Sequence, residues 1–104
     1  MTDALVVFCT CENQSQALEI ANALIETRLA ACVNILPAVH SIYRWQGKVE
    51  NAEEVLLLIK TTESQYSALE ESIRHLHRYD TPEIVALPIV QGSEKYLAWL
   101  RDPG

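Results

Sequence analysis

Three cysteines and one histidine are the residues of this sequence best suited to binding a metal ion. Cys9 and Cys11 stand two apart in an apolar stretch typical of a strand, so their thiols are expected on one face of a sheet. Together they can hold a soft ion, with Cys32 or His77 as a third ligand. Thiolate and imidazole favour copper(I) or zinc over magnesium or calcium. Core packing is the competing interpretation, because cysteine is among the residues most often buried.

The three histidines have different expected roles. His75 and His77 are two apart in a helical pattern, and such residues point roughly 200° apart, so they do not chelate one ion unless the helix has ended. His77 follows Ile73 by four residues and is expected to face the interior. There it is either a ligand or a buried, hydrogen-bonded side chain at the helix end. His40 and His75 are expected in solvent.

Constellations typical of enzymes are missing from the sequence. It has no Gly-x-Ser-x-Gly elbow and no His-Glu-x-x-His, and three glycines leave little material for a phosphate-binding loop. The adjacent acids Glu53 and Glu54, like Glu70 and Glu71, are interpreted as solvated surface. We therefore expect a binding protein and not an enzyme.

Length and charge limit the class of protein. A chain of 104 residues with 49% apolar and 21% charged residues is expected to form a single domain, residues 1–104. The net charge of −6, with scattered basic residues, argues against nucleic acid as a partner. The longest strongly apolar run, residues 55–59, is too short to span a membrane, and residues 1–4 lack the features of a signal peptide. A cytoplasmic location with reduced cysteines is expected.

The elements that must position these residues follow from hydrophobic periodicity. A strand at 5–8 is followed by a helix capped by Asn13 with Gln16 three residues on. Residues 31–62 form a long hairpin that turns at Gln46 and Gly47, and Pro37 marks an edge or a bulge. The inward stripe of the first helix consists of Ala17, Ile20, Ala21, Leu24 and Ile25.

The second half of the sequence repeats the strand–helix alternation. Residues 62–65 fit a capping box for a helix that stops near Tyr79, a strand follows at 84–90, and Ser93 caps a short terminal helix. The inward stripe of the middle helix consists of Tyr66, Leu69, Ile73 and Leu76 or His77. The order predicts an α+β, ferredoxin-like βαββαβ antiparallel sheet with a long hairpin and a C-terminal helix.

One face of this sheet is expected to lack a cover within the chain. Both main helices lie on the same side, yet residues 55–59 and 84–89 are apolar on both alternating sets. The hairpin arms are also longer than the usual strand of about 5 to 6 residues. Self-association with closed symmetry is the expected solution, with β pairing at the edge marked by Pro37.

Five segments of the sequence resemble the CutA divalent-cation tolerance proteins. They are residues 29–34 (LAACVN), 43–50 (YRWQGKVE), 59–62 (IKTT), 77–83 (HRYDTPE) and 96–99 (YLAW). The resemblance implies a ferredoxin-like subunit in a homotrimer, similar to the PII signalling proteins, with a link to copper tolerance and copper binding. It also implies that Cys9 and His77 correspond to copper ligands of bacterial members, while Leu76 stands where those members have a further histidine.

A second interpretation concerns a pocket and not the cysteines. The resemblance places Trp45, Lys60, Tyr79 and Glu83 near one another, and ligand sites often form at junctions between subunits. These residues are then expected to line an intersubunit pocket for a small ligand or a partner protein in a PII-like signalling or scaffold trimer. Packing of the aromatic residues against a neighbouring subunit is the alternative to a pocket.

Overall fold

The computed structural model describes residues 2–104, and these form a four-stranded antiparallel sheet with helices. Residue 1, part of the expected domain 1–104, lies outside the described range. The strands are β1 (Ala4–Cys11), β2 (Cys32–Trp45), β3 (Lys48–Thr62) and β4 (Ile84–Pro88). The helices are α1 (Gln14–Glu26), α2 (Tyr66–Leu76) and α3 (Glu94–Arg101), with a 3₁₀ turn, Glu63–Gln65, before α2. The strand order β2-β3-β1-β4 gives the predicted ferredoxin-like α+β fold.

The long hairpin, β2 and β3, turns at the two residues that the sequence indicated. Trp45 pairs with Lys48, and Gln46 and Gly47 both have positive φ angles, 50° and 80°. Two consecutive residues of this conformation make the type I′ turn that matches the twist of paired strands. The hairpin extends well beyond the helices, so the chain measures 44 × 26 × 23 Å.

Pro37 lies on an edge strand and at a bulge, the two settings expected for it. The pairing of β2 with β3 shifts between Leu36 and Val39, and Ala38 has φ 63°. A residue in the left-handed region lets the strand accommodate an extra residue and bend. Because Pro37 has no backbone N–H, it adds no unpaired donor to the bulge at the sheet edge.

The hydrophobic core lies between one face of the sheet and the helices α1 and α2. Alternate residues of β1 and β3 point into it, and they meet the apolar stripes of the two helices. Ile25, expected in the α1 stripe, is instead 42% exposed. The fully buried core side chains include Val7, Cys9, Cys11, Ile20, Leu24, Leu57, Ile59, Leu69 and Ile73.

The opposite face of the sheet, which we call the open face, is largely uncovered. Its apolar residues come from all four strands, and α3 covers only the end of the sheet at Ala4, through Leu97 and Leu100. Val85 and Leu87 are each 50% exposed. The apolar residues of this face include Val6, Phe8, Leu36, Leu56, Leu58, Val85 and Leu87.

Several predicted element ends differ from the observed ones. The Thr62 side chain makes no capping bond, so the predicted capping box is absent and a 3₁₀ turn precedes α2. Helix α2 ends at Leu76 and not near Tyr79, and β4 ends at Pro88, two residues early. The caps predicted at Asn13 and Ser93 are confirmed, since both side chains accept from a backbone N–H three residues on.

Candidate functional site

The Cys9, Cys11 and His77 side chains form a cluster inside the core. Cys9 and Cys11 share the core face of β1, and His77 is the first residue after α2, where the chain turns back over that strand. The two sulfurs and a ring nitrogen all lie within 4.8 Å of one another. Both cysteines are fully buried and His77 is 8% exposed. The structure therefore brings together three of the four side chains considered as metal ligands.

Both ring nitrogens of His77 have hydrogen-bond partners. The backbone N–H of Tyr79 donates to Nδ1 over 3.0 Å, so Nδ1 carries no proton. Nε2 then carries the proton and donates to the carbonyl of Thr10 over 2.8 Å. In this arrangement the imidazole is neutral and offers no free lone pair. Through these two bonds His77 links the segment after α2 to β1. A ring nitrogen can bind a metal only if one of the two bonds is broken.

The two buried thiols lie close enough to separate each other's ionisation. Interaction with the Cys11 thiol is the main cause that raises the pKa of Cys9, and burial raises it further. The same interaction lowers the pKa of Cys11, against the opposing effect of burial. One proton of the pair is therefore released more readily than the other. A soft cation placed between the sulfurs would displace the thiol protons and favour the thiolate forms.

Cys32 does not join the cluster, which corrects its assignment as an alternative third ligand. It pairs with Lys60 on β3, so it lies on the open face, whereas Cys9 and Cys11 point into the core. The Lys60 Nζ lies 3.9 Å from the Cys32 sulfur and also donates to the Asn34 side chain. The sheet itself separates Cys32 from the other two thiols.

A cavity of about 530 Å³ lies where the hairpin meets the segment that follows α2. Its lining includes Trp45, Tyr79 and Glu83, three of the four residues considered for a pocket. Lys60 is not part of it, because it lies six residues from Glu54 along β3, a distance of about 20 Å in a strand. The cavity is also lined by Tyr43, Glu54 and Asp80, which the sequence does not predict as pocket residues.

Glu54 is the main residue of this cavity whose environment differs from the sequence prediction. The sequence predicts a solvated side chain, yet Glu54 is only 8% exposed. The Tyr79 hydroxyl donates to its Oε2 over 2.7 Å, and burial, followed by this bond, raises the pKa of Tyr79. Strand alternation was the available signal, because Glu54 precedes the buried core residue Val55 and so shares the open face with Leu56.

The cluster and the cavity share a wall. The carbonyl of Thr10 accepts from His77, and Thr10 also lines the cavity. The Tyr79 ring lies 4.8 Å from the His77 ring, centroid to centroid, while its hydroxyl binds Glu54. A displacement of His77 would therefore also shift side chains that line the cavity.

Within residues 2–104, no helix has both the length and the apolar composition needed to cross a membrane.

Comparison with known proteins identifies the family. The family model of the CutA1 divalent ion tolerance protein matches residues 5–103. The chain is 54% identical over 97 residues to the divalent-cation tolerance protein CutA of Thermus thermophilus, covering 93% of this chain and 94% of that protein. It is 50% identical over 94 residues to human protein CutA, of which it spans about half: 90% of this chain matches 52% of that protein.

The fold agrees with this assignment. The solved structure of the divalent cation tolerance protein from Thermus thermophilus superposes with a TM-score of 0.93 at 52% identity. The superposition covers 95% of this chain and 96% of the other. The chain belongs to the CutA1 divalent ion tolerance protein family.

Proposed function

We propose that this protein acts in divalent-metal tolerance by binding copper, as copper(I), or a similar soft ion between Cys9 and Cys11, and that it does so as a cytoplasmic homotrimer. The observation that carries the proposal is the approach of both sulfurs and a His77 nitrogen to within 4.8 Å. Two thiolates form a donor set suited to a soft cation. The family is named for tolerance of divalent ions and not for a reaction, so binding and not catalysis is the proposed role.

The donor chemistry favours the thiols over the histidine. The thiols exchange protons for the metal, whereas the His77 ring must first release Tyr79 or Thr10. We therefore assign Cys9 and Cys11 as the principal ligands and His77 as an auxiliary one. Because both thiols are fully buried, metal entry requires a local opening of the segment after α2, and uptake is expected to be slow.

The trimer is proposed to cover the open face. Apolar side chains from every strand remain accessible there, and β2 and β4 are free sheet edges within the described residues. Closed association of copies buries such a face without leaving new edges. The number three rests on the resemblance to the CutA family noted in the sequence. The cytoplasm is proposed because its reducing conditions keep free cysteines as thiols.

Competition with a copper(I) chelator tests the metal site. The wild type is expected to withdraw copper(I) from the chelator, and Cys9→Ala is expected to lower the affinity at least tenfold, about 1.4 kcal/mol. Cys32→Ala is the matched control, because this thiol lies on the other face of the sheet. Equal affinities for the Cys9 and Cys32 variants would exclude the cluster as the site.

A second candidate function is supported by the cavity at the hairpin. Its volume of about 530 Å³ lies within the usual range for small-molecule sites, and it combines aromatic and acidic residues. In this alternative the protein is a PII-like signalling or scaffold trimer whose pocket, bordered by neighbouring subunits, binds a small ligand or a partner. Stabilisation by a ligand in a thermal-shift screen should then survive Cys9→Ala and be lost in Glu83→Ala. Lys60→Ala should leave it unchanged.

A further inference from the structure

We propose that the cavity at the hairpin binds a small organic cation, an ammonium or guanidinium group on an aliphatic chain, with Glu54 as its counter-ion. The inference rests on the second candidate function and specifies its ligand class. Of the residues that line the cavity, several are acidic or aromatic and none is Lys, Arg or His. A site with this lining attracts cations and repels anions.

Among residues 2–104, Glu54 has no positively charged partner. Its only hydrogen-bond donor among residues 2–104 is the Tyr79 hydroxyl, which binds Oε2. No basic nitrogen of the described residues lies within 4.0 Å of it, since the two ion pairs there are Arg74 with Glu70 and Arg101 with Asp3. The residue is more than nine-tenths buried and so loses most of its hydration, while its Oε1, which accepts no hydrogen bond, stays accessible. A bound cation would supply the missing positive charge.

The arrangement of the acids favours an organic cation over a metal ion. Glu54 is buried, whereas Asp80 and Glu83 are exposed at the rim. Within the part of the chain that the structure describes, Cys9, Cys11 and His77 are the one group whose ligand atoms converge closely enough for a metal. The separated carboxylates instead suit a ligand with positive charge at both ends of a short chain.

The aromatic residues provide the surface for the rest of the ligand. Trp45 is 49% exposed and Tyr43 is 44% exposed, and both line the cavity together with Tyr79. Aromatic faces attract ammonium and guanidinium groups and pack against their methylene chains. Because these rings lie beside a buried carboxylate, the cavity combines the two features by which proteins bind organic cations.

Calorimetric titration of the full chain with agmatine, which carries a guanidinium and an ammonium group, tests the inference. Saturable binding is expected at millimolar or lower concentration, with an affinity loss of at least tenfold in Glu54→Gln. Glu53→Gln is the matched control, because this neighbouring acid is exposed and does not line the cavity. Glutarate, an anion of similar length, should not bind. Absence of agmatine binding, or equal binding by the two variants, would overturn the proposal.

A basic side chain from a second copy is the other source of the same chemistry. If it fills the cavity, the wild type takes up no agmatine and Glu54→Gln changes the sedimentation coefficient, and the small-cation proposal is refuted.

A parallel thermal-shift screen distinguishes an error in the ligand class from an error in the pocket function. If an anionic or neutral metabolite stabilises the wild type but not Trp45→Ala, the pocket function stands and the ligand class is wrong. If nothing stabilises the protein, both are wrong.

Discussion

The hydrogen bond from Tyr79 to Glu54 leads to a specific expectation for Tyr79→Phe. The bond is 2.7 Å long and its acceptor is a buried carboxylate. Hydrogen bonds to charged groups contribute about 1.5 to 3 kcal/mol, and removing the donor leaves the carboxylate without one. Since Tyr79 is itself only half-buried, the lower end applies, and we expect a loss of about 1.5 kcal/mol in the free energy of unfolding.

The assay is guanidinium chloride unfolding at one fixed chain concentration, because the proposed self-association would make stability depend on concentration. Tyr43→Phe is the matched control, since Tyr43 lines the same cavity, is 44% exposed and has no hydrogen bond from its hydroxyl to the described residues. Its effect should lie within about 0.5 kcal/mol. A midpoint shift for Tyr79→Phe without a change in the denaturant dependence would indicate a change in stability alone.

A double-mutant cycle identifies the source of the loss. In the Glu54→Gln background the acceptor is neutral, so Tyr79→Phe should cost about 1 kcal/mol or less. If the substitution costs the same in both backgrounds, the charge of Glu54 is not responsible. If it costs no more than Tyr43→Phe, the buried carboxylate does not depend on this bond, and the electrostatic role proposed for Glu54 in the cavity is wrong.

Two further predictions concern assembly and alkaline pH. Val85→Asp places a charge on the open face and should convert the proposed trimer to monomers in analytical ultracentrifugation, while Leu18→Asp on the outer side of α1 should not. An unchanged sedimentation coefficient in Val85→Asp would show that this face is not an interface. The pKa of Tyr79 is higher in the folded chain than the ordinary tyrosine value of about 10. Its neutral hydroxyl therefore contributes fully to stability below that pH, and the contribution is lost as the pH rises above it. Between about pH 8 and about pH 11, a range around that pKa, the midpoint temperature of thermal unfolding should therefore fall less steeply for Tyr79→Phe than for the wild type. Parallel curves would contradict the raised pKa of Tyr79.

The hairpin was predictable because its determinants are local. Gly47 supplies the positive φ of the turn, and Pro37 restricts its strand to an edge or bulge wherever the rest of the chain lies. Most of the core stripe of each helix was predictable for the same reason, since periodicity fixes which side chains share a face, although Ile25 of the α1 stripe is exposed. The resemblance to the CutA family added the expectation of three subunits, which periodicity alone does not supply.

The ends of α2 were not predictable because tertiary contacts determine them. At its start, Thr62 pairs with Ala4 in the sheet and its hydroxyl contacts Ser64, so it does not cap the helix. At its end, the buried Gln16 side chain of α1 donates to the carbonyl of Leu76 and accepts from the N–H of Arg78. These bonds satisfy the helix terminus from a residue 60 positions away in sequence.

The site was only partly predictable for a related reason. Alternation placed Cys9 and Cys11 on one face, but it could not show that Cys32 lies on the other, because that depends on the pairing of β2 with β3. The burial of Glu54 depends on the segment after α2, which crosses the strand only because the helix ends early. Sequence spacing thus identified the donors, and the tertiary fold decided which of them meet.

The shared wall between cluster and cavity provides a way to decide whether Nδ1 of His77 binds the metal. A metal held by the two thiols alone leaves the bond from the Tyr79 N–H to Nδ1 in place, and the cavity is unchanged. A metal that takes Nδ1 breaks that bond and moves Tyr79, whose hydroxyl orients Glu54. Because coupling between two sites is reciprocal, the copper(I) affinity measured with and without saturating agmatine must then change by the same factor as the agmatine affinity measured with and without copper(I). Coupling in wild-type protein that disappears in Tyr79→Phe would assign Nδ1 of His77 as a ligand that acts on the cavity through Tyr79, whereas independent binding would exclude Nδ1 and leave the metal to the thiols, with or without Nε2.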